Sequence, residues 1–189
     1  MNDLAANTIR ICWLLFLIYW IISAFKVKAV VERQTWRASL SYKFPTFLGI
    51  WLLWASDSCP GLSLVAYDRP GPMRLMAAVI CVSGLVVAFW ARWTLAGNWS
   101  SNVTFKQNHE LIQTGPYRWV RHPIYTGLLL MALGTALISG RAGAWLGVLL
   151  MTQGFWIKLK YEEGVMLRHF PDTYPGYQTR VKALVPFLF

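Results

Sequence analysis

Long runs of mostly apolar residues, separated by short basic segments, limit how this chain can fold. A helix that spans a bilayer needs about 20 such residues. Only 14% of the 189 residues are charged, whereas soluble domains carry about 25%. The pattern predicts an all-α integral membrane protein with about five transmembrane helices. The apolar runs cover residues 8–25, roughly 44–67, 73–96, 123–139 and 144–159.

Two interruptions refine this layout. The second run is broken by Pro60, so we expect its helix to end near Ser56, with a surface loop after it. The sequence GRAG at residues 140–143 predicts a tight turn, so the last two helices form a hairpin. By its size the chain is one domain, residues 1–189.

The basic residues predict how the helices are oriented. With five spans, all but four of the 18 basic residues fall on one side of the bilayer, and basic loops are typical of the cytoplasmic side. We therefore expect the N-terminus outside, the C-terminus in the cytoplasm and, in a bacterium, insertion in the inner membrane. Because the basic residues lie in short clusters between apolar runs, the charge does not indicate nucleic-acid binding. The four exceptions are Arg10, Arg69, Arg74 and Arg141.

This layout divides the chain into two functional parts. Residues 1–96 hold three spans, and residues 97–189 hold the hairpin and most polar residues. The loop 97–122 and the tail 158–189 share the cytoplasmic face, separated only by the hairpin. We therefore predict that these two polar segments meet in space and form the site.

The loop ends in the sequence GPYRWVRHPIYTG, residues 115–127. Proline suits the first position of a helix, so the fourth helix is predicted to begin at Pro123 with His122 as its cap. Helix N-terminal N–H groups and dipole attract anions, and Arg118 and Arg121 lie beside them. The alternative is that Tyr117 and the two arginines only anchor the helix at the headgroups.

Inside this helix, Tyr125 lies one turn in, and Gly127 leaves room for a ligand or another backbone. On the tail, Glu162 and Glu163 are two of only eight acidic residues, and either carboxylate suits a hydroxyl pair or a cation. The alternative is a surface pair between Glu162 and Lys158, four residues apart.

Metal chemistry and disulfides are not indicated. HELIQ, residues 109–113, begins like a zinc-protease HExxH motif but has Gln113 where the second histidine is required. His109, His122 and His169 show no ligand spacing. The three cysteines, Cys12, Cys59 and Cys81, have no CxxC spacing and are expected to be small apolar residues.

Together the two polar segments resemble a known family. Gly115-Pro116-Tyr117, Arg121-His122-Pro123, Tyr125 and Gly127, followed by Glu162-Glu163, Phe170, Tyr174, Tyr177 and Arg180, resemble the signature of the isoprenylcysteine carboxyl methyltransferase family and of its bacterial and phospholipid-methyltransferase relatives. The resemblance covers about residues 95–189. It departs at Met166, where the family usually has Leu, and at Pro171, where Gly is common.

The resemblance implies an integral membrane methyltransferase that uses S-adenosylmethionine and takes a lipophilic acceptor from the bilayer. The acceptor is expected to be a carboxylate, as in prenylcysteine O-methylation, or a lipid amine; only an amine or thiol would need a general base. Cofactor binding is implied for Tyr117, Arg121, His122, Pro123, Tyr125, Gly127, Glu162 and Glu163. Catalytic roles are implied for His122, Glu163 and Arg180, and substrate binding for Tyr174, Tyr177 and Arg180.

Two other functions remain open from the sequence. Sterol-type membrane reductases, which use NADPH, carry a similar RHPNY motif, but this chain has Ile124 where they have Asn and lacks the acid that usually follows. A non-enzymatic lipid-binding membrane protein would use the same cations to bind anionic headgroups. The sequence leaves the oligomeric state open.

Overall fold

The computed structural model describes residues 3–25, 30–33, 35–58, 61–99, 104–106 and 110–186. These residues form a predominantly helical protein. Cys59, Pro60 and His109, considered above, lie outside the described residues. The elements are α1 (Leu4–Ala24), β1 (Val30–Arg33), α2 (Trp36–Ala55), α3 (Gly71–Leu95), β2 (Thr104–Lys106), α4 (Pro123–Ser139), α5 (Ala142–His169) and α6 (Tyr174–Arg180).

A helix occupies each of the five apolar runs. α2 begins well before its apolar run because Thr35 caps it, accepting a hydrogen bond from the backbone N–H of Ala38. It ends at Ala55, as the sequence predicts. The predicted turn between α4 and α5 is also present, and Gly140 adopts the left-handed conformation there, with φ of 64°.

A small sheet adds to the predicted all-α architecture. β1 and β2 pair antiparallel, with Arg33 opposite Thr104. Their sequences, VVER and TFK, are rich in β-branched and aromatic residues, which favour extended backbone. The sheet therefore ties the connection between α1 and α2 to the segment that follows α3.

Glycines let the long helices approach closely in pairs. A Cβ built on Gly84 of α3 would lie 2.5 Å from the carbonyl oxygen of Gly127 on α4. A Cβ on Gly49 of α2 would likewise lie 2.5 Å from the carbonyl oxygen of Gly147 on α5. Such small-residue contacts are typical of helices packed in membranes. Gly127 thus serves the approach of another backbone, one of the two uses predicted for it.

The outside of the bundle is strongly apolar. Two helical segments are long and apolar enough to cross a membrane, α1 and Gly71–Asn98, and α4 is apolar but shorter. Large apolar side chains are also exposed on the other two long helices, for example Trp51 on α2 and Leu149 on α5. Large apolar side chains exposed on this scale mark contact with lipid or a partner. That all five long helices span the membrane remains a prediction.

Candidate active site

The loop before α4 is fixed in place by the C-terminal tail. The backbone N–H of Arg121 donates to the carbonyl of Lys182 at 2.8 Å, and that of His122 donates to Ala183 at 3.0 Å. Thr126 adds a side-chain hydrogen bond to the carbonyl of Leu184 at 2.7 Å. The prediction that the two polar segments meet is confirmed.

His122 occupies the predicted cap position of α4, but its side chain does not cap the helix. The imidazole lies between two carboxylates instead. Its Nδ1 is 3.4 Å from Glu162 Oε2, and its Nε2 is 3.4 Å from Glu163 Oε1. Burial opposes protonation of the ring, but hydrogen bonds and the two negative charges raise the pKa of His122 above its ordinary value. The two carboxylates therefore favour the protonated form of the ring.

Glu163 is enclosed in a network that ties α5 to the loop and the tail. Arg121 donates to its Oε1 from Nε at 2.9 Å and from a terminal nitrogen at 2.6 Å. Gln178 Nε2 donates to Oε2 at 3.1 Å. Burial opposes ionisation of Glu163, but hydrogen bonds from His122 and Arg121 and their charges lower its pKa to about 2. Both side chains are at most 9% exposed, and the Glu163 carboxylate is ionised.

Most N–H donors of the Arg121 guanidinium already have partners within the protein. Besides Glu163, its other terminal nitrogen donates to the carbonyl of Gln178 at 3.1 Å and to that of Val181. Three elements, the loop, α5 and the tail, thus meet at this side chain. The predicted direct contact between Arg121 and an anionic ligand competes with these partners.

Glu162 has different surroundings. The hydroxyl of Tyr125 donates to its Oε1 at 2.6 Å, and Lys158 Nζ lies 3.9 Å from the same oxygen. The predicted pair with Lys158 is therefore present alongside other contacts. Burial disfavours ionisation of Glu162, but the hydrogen bond from His122 and the Lys158 charge outweigh it and lower its pKa. About a quarter of its side chain is exposed, so an ionised carboxylate is accessible at this point.

Aromatic rings surround this carboxylate. The ring of Tyr125 stacks on His122 and on Phe155, with centroids 5.6 and 4.8 Å apart. Across the site, Tyr177 donates its hydroxyl to the carbonyl of Tyr117 at 2.6 Å. Burial raises the pKa of Tyr177 to about 12, so this hydroxyl stays neutral and holds α6 against the loop.

These side chains line a half-open pocket. The space between them, together with the open solvent at its mouth, measures about 880 Å³. Seven residues that the sequence predicts for the site line it: Tyr117, Arg121, His122, Tyr125, Glu162, Tyr174 and Tyr177.

Four predicted site residues lie elsewhere. Pro123 is buried at the start of α4, where it sets the helix direction. Gly127 packs against α3, and Glu163 belongs to the Arg121 network. Arg180 is exposed on α6. None of these four lines the pocket.

The sequence analysis missed the wall that the end of α3 supplies. Leu95, Asn98 and Trp99 line the pocket, together with Ile112 from the loop and Met166 from α5. One signal was available for Asn98. It is a polar residue directly after a long apolar run, and it is nevertheless buried.

A profile of the phospholipid methyltransferase family matches residues 73–173, which is more than half of the chain. The chain belongs to the phospholipid methyltransferase family. The match contains the loop motif and both glutamates, so the resemblance stated above is confirmed. Membership favours a methyltransferase over the sterol-type reductase alternative, and it implies a methyl donor.

Similarity to individual relatives supports membership in this family. The protein-S-isoprenylcysteine O-methyltransferase of Schizosaccharomyces pombe is 32% identical over 94 residues, covering 48% of this chain and 40% of that protein. The protein of the same name from Saccharomyces cerevisiae is 25% identical over 133 residues, covering 68% and 56%. YpbQ of Bacillus subtilis, an uncharacterized protein, is 30% identical over 70 residues, covering 37% and 42%. The chain thus matches 40% to 56% of the length of these relatives.

The family match and the apolar surface both indicate a membrane location. The apolar helices α1 and α3 and the family match indicate that this phospholipid methyltransferase family member is a membrane protein. The pocket lies at one end of the apolar bundle, where α4 begins and α5 leaves its apolar run.

Proposed function

We propose that this family member transfers a methyl group from S-adenosylmethionine to a carboxylate on a lipophilic acceptor that enters from the bilayer. One observation carries the proposal. An ionised glutamate, Glu162, held by Tyr125 and His122, faces a pocket of aromatic and apolar side chains at the end of an apolar bundle.

The side chains present fit S-adenosylmethionine, whose parts are a carboxylate, an ammonium, a ribose diol and a sulfonium. The Glu162 carboxylate suits the diol or the ammonium as a charged acceptor. The faces of Tyr117, Tyr125 and Tyr174 suit the sulfonium through cation–π contact. The protonated form of His122, which its two carboxylate neighbours favour, supplies positive charge for the ligand carboxylate. When bound, the cofactor supplies a methyl group activated by a positively charged sulfur.

The protonation states favour a carboxylate acceptor over a lipid amine. An amine must lose a proton before it accepts a methyl group, which requires a general base with a pKa near the working pH. The pKa of Glu162 is lowered, which makes it a weaker base, and the two neighbouring carboxylates favour the protonated form of His122, which cannot accept a proton. A carboxylate needs no base, and the pocket then acts by aligning the reacting groups and excluding water.

The relatives suggest which carboxylate. Those from both yeasts are named protein-S-isoprenylcysteine O-methyltransferases, and an isoprenyl chain is a lipophilic group that a membrane pocket can receive. We therefore propose a prenylated cysteine as the acceptor class. Tyr174 and Tyr177 line the pocket on the α6 side, and Arg180, exposed on the same short helix, is proposed to attract the anionic acceptor.

Calorimetry with S-adenosylhomocysteine on the purified protein, in detergent and in lipid, tests the cofactor. We expect micromolar binding, and its absence in both media would refute the proposal. Transfer of a radiolabelled methyl group then tests the acceptor, with farnesylated N-acetylcysteine, its methyl ester as the control, and phosphatidylethanolamine. A base-labile product from the free acid alone supports carboxylate methylation, whereas a base-stable product from the amine lipid excludes it.

We further propose five spans with the pocket on the cytoplasmic side. The support is the concentration of basic residues at that end of the bundle. Gly176 and Gly71 both have open space where a side chain would stand, so Gly176→Cys and Gly71→Cys are matched probes at opposite ends. In a Cys59→Ser background, an impermeant thiol reagent should label only Gly71→Cys in intact cells. The reverse labelling would invert the topology.

A further inference from the structure

Lys158 carries a buried amine that the proposed function above does not use. It lies on α5 at the end of the apolar run, and only 13% of its side chain is exposed. A lysine at such a position usually extends its amine to the headgroups and water. Lys160, two residues further on, is 58% exposed, with its amine over the ring of Trp156. Two lysines on one helix therefore differ in where their charge is placed.

The amine of Lys158 is directed at two tyrosine rings and a carboxylate. Its Nζ lies 5.7 Å from the ring centroid of Tyr42 on α2 and 5.3 Å from that of Tyr125 on α4. It lies 3.9 Å from Oε1 of Glu162, one helical turn further along α5. Lysine is rarely buried unless it is paired, and aromatic faces also stabilise a cation. These contacts therefore favour the charged form of the amine.

Lys158 approaches the site from outside the pocket. Glu162 and Tyr125 line the pocket, but Lys158 does not. The oxygen of Glu162 that Lys158 approaches also accepts from the Tyr125 hydroxyl at 2.6 Å, and the other oxygen lies 3.4 Å from Nδ1 of His122. Each oxygen of this carboxylate thus has its own cationic neighbour. Lys158 can influence a ligand only through Glu162.

This lysine also connects α2 with the site. None of the described residues that line the pocket belongs to α2. Tyr42, whose ring lies under the Lys158 amine, is 2% exposed and packs with Val165, a pocket residue on α5. The next residue, Lys43, opposes the charge of the amine. The surroundings of Lys158 on α2 are therefore one aromatic ring and one like charge.

We propose that Lys158 is a positioning residue that keeps Glu162 ionised and oriented toward the methyl donor. The inference rests on the proposed use of S-adenosylmethionine, whose ammonium or diol the carboxylate binds. Burial opposes ionisation of Glu162, and the hydrogen bond from His122 and the charge of Lys158 offset it. A bound ligand excludes more water from the carboxylate, so a positive neighbour that is already in place keeps it ionised.

A binding cycle tests the assignment. S-adenosylhomocysteine is titrated into the wild type, Lys158→Met, Glu162→Gln and the double variant. We expect Lys158→Met to lower the affinity by about fivefold, the upper range for a partly exposed ion pair, and to cause no further loss once Glu162 is replaced. Losses that simply multiply would overturn the assignment. Lys158→Arg keeps the charge and should retain more affinity than Lys158→Met. Lys160→Met, which removes an exposed amine 4.0 Å from Glu163, is the matched control and should stay within about twofold of the wild type.

The titration of the Glu162 carboxyl separates this role from a structural one. The chain has four glutamates, so carbon-13 NMR of glutamate-labelled protein gives few carboxyl signals, and Glu162→Gln identifies the relevant one. In ligand-free Lys158→Met this signal should titrate at higher pH than in the wild type, because loss of a positive neighbour favours the protonated carboxyl. Lys160→Met should leave it unchanged. Lys158→Gln is a second variant in which the same shift is expected.

Two outcomes distinguish this inference from the proposed function. If the wild type binds no S-adenosylhomocysteine, the proposed function fails. If it binds but the Glu162 signal titrates alike in the wild type, Lys158→Met and Lys158→Gln, only the positioning role is overturned.

Discussion

Glu162 and Glu163 are neighbours in sequence, yet α5 directs them into different regions of the molecule. Glu163 is 4% exposed and enclosed by Arg121, Gln178 and His122. Glu162 is 24% exposed and lines the pocket. The first carboxylate connects the elements of the site, and the second is available to a ligand. A pair of identical residues therefore divides between assembling the site and binding in it.

Replacing Glu163 should have the largest effect on the fold. Glu163→Ala leaves Arg121 buried without its counter-charge, and breaking such a pair costs about 3–5 kcal/mol of unfolding free energy. Thermal unfolding in detergent measures the loss. Arg121→Met with Glu163→Leu is the matched control, because an apolar pair removes both charges and should recover part of the stability, although the carbonyls of Gln178 and Val181 lose their donor. A Glu163→Ala protein as stable as the wild type would contradict the enclosed role.

Replacing Glu162 should instead affect binding. Glu162→Gln keeps the size but removes the charge that accepts from Tyr125, and hydrogen bonds to charged groups contribute about 1.5–3 kcal/mol. We expect S-adenosylhomocysteine affinity to fall by about 10- to 100-fold, measured by calorimetry, with a Tm close to that of the wild type. Tyr125→Phe, which keeps the stacked ring, should show a smaller loss in the same direction. If Glu162→Gln instead lowers the Tm strongly and leaves the affinity unchanged, Glu162 supports the fold and does not bind the ligand.

The sequence predicted that the loop before α4 and the C-terminal tail meet. It did not predict which glutamate, Glu162 or Glu163, faces the pocket and which one holds the site together. The lengths of the apolar runs and the turn signals placed the five helices because lipid-facing and buried positions both demand apolar residues. The motif around His122 placed the start of α4 because proline has few tolerated positions. Which glutamate faces the pocket depends on the rotation of α5 against the loop, and no local pattern encodes that rotation.

Asn98 illustrates the same limit. In the sequence it is one polar residue in a loop, and only the fold shows that the turn after α3 enters the pocket wall. Arg121 shows the converse. Its charge suggested an anion site, but tertiary contacts occupy its donors with Glu163 and backbone carbonyls. Local chemistry identifies candidates, and packing decides which of them remain accessible.

His122 and Glu163 also predict how stability depends on pH. The pKa of His122 is raised above 6.5 in the fold, so its contribution is complete below about 6.5 and is lost as pH rises through the folded pKa. The pKa of Glu163 falls from 4.5 to about 2, so its contribution is complete above 4.5 and is lost as pH falls toward 2. We expect the highest Tm between these limits. In His122→Gln the decline above pH 6.5 should disappear, and its persistence would assign it to another group.

Replacing Arg180 should have the smallest effect on the fold and is aimed at the acceptor alone. Arg180 is exposed and lies outside the pocket, so Arg180→Ala should change the unfolding free energy by less than about 0.5 kcal/mol and leave S-adenosylhomocysteine affinity within about twofold. A screened surface charge contributes up to about 1 kcal/mol, so the KM for farnesylated N-acetylcysteine should rise by up to about fivefold. Arg180→Lys keeps the charge and should recover the wild-type KM. Arg168→Ala, another exposed arginine outside the pocket, is the matched control. An unchanged KM in Arg180→Ala would remove Arg180 from the acceptor path, and a large loss of cofactor affinity would place it with Glu162.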